Sequence, residues 1–330
     1  MSKRQDSIWF LIALLFFTAL PLRAENKKDD VNDIGNRRVA HRSIISEEKE
    51  VAIGKQYADQ IDHSAKLIKD PVVNEYVNRL AQNLARNSDA KVPISVKVID
   101  DPTINAITLP GGFIYLDSGT ILAANEEAQV AGVLSHEIAH VAARHWASEM
   151  TKRTLLQYAM IPLMFTPMSL GAYYGLNAAM SGIPIAFLKF SRNDEAEADF
   201  LGLQYMFKAG YDPNAYVAFF GKVLNEERSS PGSVASIFSD HPPTPDRIIK
   251  CEEEIKGILP NRPEYLVNTS EFNDVKSRLE TLLTVHRNNK NQSGPTLERR
   301  QPSETTGTPP PSNPQGQGSG DQPPVLRRKD

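Results

Sequence analysis

The chain has 330 residues, with 37 Lys and Arg against 40 Asp and Glu and a formal net charge of −3. That balance lacks the basic footprint of a nucleic-acid binder. The single cysteine, Cys251, excludes an internal disulfide, and 40% hydrophobic residues suffice for a sizeable core.

Lys3 and Arg4 precede an apolar run, Ile8 to Leu20, followed by Pro21-Leu22-Arg23-Ala24. This is the shape of a secretory signal peptide over 1–24. The run is short for a transmembrane helix, and a retained anchor is the alternative. An exported protein of the periplasm or cell envelope is therefore expected. Residues 25–45 are charged and polar and read as a linker. Residues 46–286 alternate helical patterns with one strand-rich stretch, which predicts an α+β domain rich in helix with a small sheet. Asp70-Pro71 opens a helix, cap then proline, with Val72, Val73, Tyr76, Val77, Leu80 and Leu84 as its apolar stripe. Ile94 to Ile99 alternates as a strand, and Phe113 to Leu116 reads as another. Asn125 is the expected N-cap of the next helix, with Val130, Val133, Leu134, Ile138 and Val141 on its apolar side. Asp212-Pro213 opens a further helix. Residues 287–330 are rich in Pro, Gly, Ser and Gln, and read as a disordered tail.

The chemistry is concentrated at His136-Glu137-Ile138-Ala139-His140. Residues four apart share one helical face, so both imidazoles can reach one metal ion. This H-E-x-x-H spacing is that of a zinc hydrolase, with Glu137 as general base toward a zinc-bound water. A catalytic zinc takes three protein ligands. A metzincin-type third histidine fails here, because Trp146 stands at that position and His145 comes one residue early. His145 reads instead as a helix-surface residue or as a support to a ligand. A glutamate on a second helix is the alternative. Glu195 and Asp199 lie four apart, so Glu195 can bind the metal while Asp199 hydrogen-bonds a ligand histidine. A di-iron bundle would need a second E-x-x-H, and the sequence has none.

His136 to His140, followed by Ser191-Arg192 and Glu195 to Asp199, resembles the gluzincin family of HtpX-like and CAAX-prenyl-protease-like zinc metallopeptidases. The likeness is to its soluble periplasmic, BepA-like branch. Asn105-Ala106 with Pro110 to Leu116 is similar to the family's edge strand above the site, and His241-Pro242-Pro243-Thr244-Pro245-Asp246-Arg247-Ile248 to its His-Pro…Arg segment. The resemblance spans roughly Glu47 to Leu283. It implies His136, His140 and Glu195 as ligands of one zinc per chain, Glu137 as the base and Asp199 as a hydrogen-bonding support. It differs from that branch in showing no tetratricopeptide repeat, and from the membrane-embedded members in showing no clear internal span.

Gly111 and Gly112 before Phe113, Ile114 and Tyr115 suit an edge strand to which an extended polypeptide adds. An internal strand after a turn is the other reading. His241 is a candidate regulatory fourth ligand or oxyanion stabiliser, or a structural turn residue. Thr154 to Leu188 contains no charged residue. It reads either as an apolar lid that touches a membrane or an unfolded substrate, or as core. The expected function is a zinc-dependent endopeptidase acting on misfolded or unassembled cell-envelope proteins. The rival is a zinc-stabilised assembly factor that binds such proteins without cutting them.

Overall fold

In the computed structural model the described residues are 28, 30–160, 190–229, 241 and 244–292. The chain divides into two units, 1–287 and 288–330. The expected signal segment, most of the uncharged stretch and the tail beyond Gln292 lie outside the described residues. Among the described residues no helix is long and apolar enough to cross a membrane.

Helix α1 (Glu47–Ser64) starts where the Ser46 hydroxyl accepts the Lys49 amide, and three glutamates fill its first turn. Helix α2 (Pro71–Arg86) is capped by Asp70, which accepts from the amides of Val72 and Val73. Its buried stripe is Val73, Tyr76, Val77, Leu80 and Leu84, whereas Val72 is 46% exposed. The first turn points Val72 away from the sheet.

Three strands follow: β1 (Ser95–Ile99), β2 (Ala106–Leu109) and β3 (Phe113–Asp117), in the order β1-β3-β2. Strand β1 runs parallel to β3, and β2 runs antiparallel to it. The segment expected to form one edge strand is thus a hairpin. Gly111, Gly112, Phe113, Ile114 and Tyr115 do not border an open edge, because β3 is paired on both sides. The physical reason is burial on both faces. Ile114 and Leu116 enter the main core and Tyr115 enters a smaller one with Ala58 and Ile61 of α1, as a central strand requires. Gly111 and Gly112 make the turn at φ 77° and 93°. A Cβ on Gly111 would stand 2.5 Å from the Val51 Cα, and one on Gly112 2.3 Å from the Pro93 carbonyl oxygen.

After a short helix, α3 (Ser118–Ala123), comes α4 (Glu127–Ala143), every residue of which is buried. Its N-cap is Glu126 rather than Asn125, and Gln129 reaches back to accept the Asn125 amide. Helix α4 packs on α2, on β2 and most extensively on α6 (Arg192–Ala209). In chain order α5 (His145–Met160) comes between them, and among the described residues α7 (Asn214–Ser229), α8 (Pro245–Ile258) and α9 (Ser270–Gln292) follow.

Residues 30–45 are not a linker. Val31, Ile34 and Val39 belong to the main core. The Arg37 guanidinium is buried against Asp89 at 2.8 Å and also donates to Gln204 at 2.6 Å. Asp89 further accepts the Gly35 amide and the Tyr205 hydroxyl. A polar arm packs here because its one buried charge is paired with a carboxylate.

Candidate metal centre

Helix α4 presents His136 and His140 one turn apart, with their Nε2 atoms 3.1 Å from each other. Helix α6 brings Glu195 from its first turn. A capping box between Ser191 and Asp194 fixes that turn. Glu195 Oε2 lies 3.5 Å from His136 Nε2, and Oε1 lies 3.5 Å from His140 Nε2. All three residues are buried. Gly202, two turns beyond Glu195 on the same face, lets the helices approach: a Cβ there would be 3.2 Å from the backbone N and Cα of His136. His241, between α7 and α8, completes the group. Its Nδ1 is 2.7 Å from Glu195 Oε1, and its Nε2 is 3.9 Å from Glu137 Oε2.

The donor set fits zinc. Ligand atoms 2.0–2.1 Å from a tetrahedral zinc stand about 3.3 Å apart. The three separations among His136, His140 and Glu195 bracket that value. Two imidazoles and one carboxylate are also the ligand chemistry of catalytic zinc sites.

The outer nitrogen of His136 has two partners, one of which the sequence disclosed. His136 Nδ1 lies 3.0 Å from the Tyr216 hydroxyl and 3.1 Å from Asp199 Oδ1, and Tyr216 donates to Asp199 at 2.7 Å. Asp199 thus stands where the sequence placed it, and Tyr216 is added from α7. Arg247 grips Asp199 with Nε and Nη2, each at 2.7 Å. Its Nη1 is 3.0 Å from Glu195 Oε2 and donates to the His241 carbonyl at 3.1 Å. Arg247 falls inside the His-Pro…Arg segment, which was its only sequence signal. Phe190 stacks on His140 with centroids 4.1 Å apart.

The electrostatics favour a cation here. Burial raises the Asp199 and Glu195 carboxyls, but Arg247 for Asp199, and His241 with His136 for Glu195, outweigh it and hold both well down. Burial depresses His136, yet Asp199 and Glu195 overcome this and lift it to about 9. Burial and the neighbouring His136 push His140 far down instead. Glu137 is fully buried. Thr108 of the edge strand β2 donates to its Oε2 at 2.6 Å, and its Oε1 has no hydrogen-bond partner. One oxygen is anchored and the other is uncommitted, which suits a proton acceptor.

Comparison with known proteins places this geometry. The model of peptidase family M48 matches residues 71–255, from α2 through most of α8. The chain is 32% identical over 248 residues to a putative beta-barrel assembly-enhancing protease of Vibrio cholerae, covering 73% of this chain and 50% of that one. It is 27% identical over 297 residues to the beta-barrel assembly-enhancing protease of Escherichia coli K12, covering 86% and 58%. It is 32% identical over 182 residues to the mitochondrial metalloendopeptidase OMA1 of Schizosaccharomyces pombe, covering 54% and 52%. The chain spans about half the length of the curated relatives it matches.

Proposed function

Because the chain belongs to peptidase family M48, we propose that it is a zinc metalloendopeptidase that cuts extended segments of unassembled or misfolded cell-envelope proteins. The observation that carries this reading is the convergence of His136, His140 and Glu195 beside a buried Glu137 with one uncommitted oxygen. His136, His140 and Glu195 would hold the ion. When bound, zinc acidifies a water and polarises a carbonyl.

Glu137 takes the proton of the attacking water on its uncommitted oxygen and hands it to the leaving amine. Thr108 holds the other oxygen and so fixes the carboxylate plane. Asp199 and Tyr216 set the proton of His136 on Nδ1, leaving Nε2 for the ion. Among the described residues, strand β2 pairs only with β3. Its other edge is where an extended peptide adds by main-chain hydrogen bonds, and Thr108 ties that edge to the base. A substrate in this mode is read by backbone more than by sequence, as suits unfolded polypeptide. The envelope setting follows from the signal-like N-terminus and from relatives named for β-barrel assembly. Contact with a membrane surface through Thr154–Leu188 belongs to the same proposal.

Glu137→Gln tests the reading. Zinc should stay bound while casein cleavage disappears; wild-type cleavage by the variant would refute it. A wild-type protein that binds zinc yet never cuts, with or without His241→Ala, would favour the non-cleaving assembly factor. His241→Ala also separates two roles. Faster cleavage marks His241 as an occupant of the fourth position, and slower cleavage marks it as an oxyanion stabiliser.

A further inference from the structure

Behind His140 stands a second polar group, to which α5, α6 and the N-terminal arm contribute. His140 Nδ1 is 2.8 Å from His145 Nδ1, and His145 is fully buried. His145 Nε2 is 3.4 Å from Glu197 Oε2. The same carboxylate accepts from His41 Nε2 at 2.6 Å and from Lys28 Nζ at 2.6 Å. Resting on the metal-centre reading above, we propose that His145, Glu197, His41 and Lys28 form a relay that sets the tautomer and orientation of His140, making the arm a working part of the metal centre.

The proton positions follow from chemistry. An imidazole that gives Nε2 to a metal carries its proton on Nδ1. His140 Nδ1 is then a donor, so His145 Nδ1 must accept. A neutral histidine that accepts on Nδ1 carries its proton on Nε2, and in His145 that atom faces Glu197. The opposite tautomer of His145 would set two N–H groups head-on at 2.8 Å. Glu197 therefore favours the one tautomer compatible with an ion on His140.

The elbow at Arg144 makes the relay geometrically available. Arg144 is the only non-glycine residue at positive φ among the described residues, at φ 57° and ψ 41°. This left-handed residue turns the chain at the end of α4 and brings His145 behind His140. Such a conformation is disfavoured outside glycine. Arg144 offsets this by pairing with Glu50 at 2.8 Å and donating to the Ile45 carbonyl at 2.8 Å. The arm clips the same corner, where the His41 amide donates to the Ala143 carbonyl at 2.9 Å.

His41, His145 and Glu197 also have the composition and proximity of a metal site. Two facts oppose a second ion there. A metal on His145 Nε2 would move its proton to Nδ1, against the Nδ1 proton of His140. The Lys28 ammonium already supplies a cation to Glu197. The relay thus predicts one ion per chain.

The test uses the full-length protein, with zinc affinity and stoichiometry read by chelator competition. Glu197→Ala should weaken zinc binding about 10- to 100-fold. KM should be unchanged. Glu197→Gln keeps an oxygen to accept from His145 and should restore most of the affinity. His41→Ala, on the half-exposed arm, disturbs folding least and should give a smaller loss in the same direction. Imidazole nitrogen NMR should show His145 protonated on Nε2 in the wild type and mixed in Glu197→Ala. Wild-type affinity in both Glu197→Ala and His41→Ala would overturn the relay while leaving the metal centre standing. Two zinc ions per wild-type chain, one of them lost in Glu197→Ala, would also overturn it. A wild-type chain that binds no zinc would instead overturn the metal-centre reading, and the relay with it.

Discussion

Adding one methyl group at Gly202 probes how closely α4 and α6 must approach for the ligands to converge. Glu195, Asp199 and Gly202 are spaced four and three residues apart, so all three face α4. An alanine Cβ would sit 3.2 Å from the His136 N and Cα and 3.3 Å from the Ser135 carbonyl carbon. All three atoms are backbone and cannot rotate away, so the helices must part by a few tenths of an ångström. Overpacking of this kind costs about 1–3 kcal/mol. Alanine recovers about 1 kcal/mol of helix propensity. A net loss of roughly 0–2 kcal/mol in the metal-free protein is expected by that difference. The effect on metal should be larger in kind, because bond lengths tolerate only about ±0.2 Å. Zinc affinity should fall about tenfold or more, about 1.4 kcal/mol. Gly221 on α7 is the control, since a Cβ there meets nothing within 4 Å. Gly221→Ala should stabilise by about 0.5–1 kcal/mol with zinc unaffected. Urea unfolding without metal and chelator competition with it read both quantities. If Gly202→Ala behaves like Gly221→Ala, the close approach of the two helices does not set the ligand geometry.

Three further outcomes follow from the same site. Tyr216→Phe removes the hydroxyl between His136 and Asp199; zinc should bind up to about tenfold more weakly, and unchanged affinity in a competition assay would show the hydroxyl to be idle. Arg247→Met leaves Asp199 and Glu195 buried without their guanidinium; urea unfolding of the metal-free protein should show a loss of about 3–5 kcal/mol, and a loss below 1 kcal/mol would contradict the ion pairing. Glu254 is held up to about 7, first by burial and then by the nearby Asp199 charge. Folding therefore favours its protonated form, and wild-type stability should decline as pH rises from the ordinary glutamate value of 4.5 through 7. Glu254→Gln removes this slope, so the variant should gain on wild type between pH 5 and 8; urea midpoints that stay parallel across that range would refute the assignment.

The metal centre was legible where its geometry is local. His136 and His140 are one helical turn apart, and so are Glu195 and Asp199, so spacing alone predicts shared faces. What stayed hidden depends on contacts between distant residues. Tyr216 meets His136 across 80 positions, and Thr108 meets Glu137 across 29. The arm looked unstructured because Arg37 reads as a solvated charge until Asp89, 52 residues on, is placed beside it. The edge was assigned to the wrong strand because a run such as Phe113 to Leu116 signals burial, whereas the open edge depends on which neighbours pair. His145 read as a helix-surface or supporting group, but its place behind His140 was hidden, since nothing in an arginine at 144 announces a left-handed turn.

Electroneutrality sets what the buried cluster around Arg247 will accept. Glu137, Glu195 and Asp199 carry three formal negative charges, and Arg247 carries one positive. Two negative charges remain, the complement of one divalent ion. A monovalent ion would leave an unmatched charge in a dry interior, at the steep cost such charges carry. Behind His140, Glu197 pairs separately with Lys28. Buried charges matched by close partners are little affected by dissolved salt. The cohesion of the centre should be indifferent to ionic strength, whereas the exposed Arg278–Asp70 pair at 2.7 Å should weaken as salt rises.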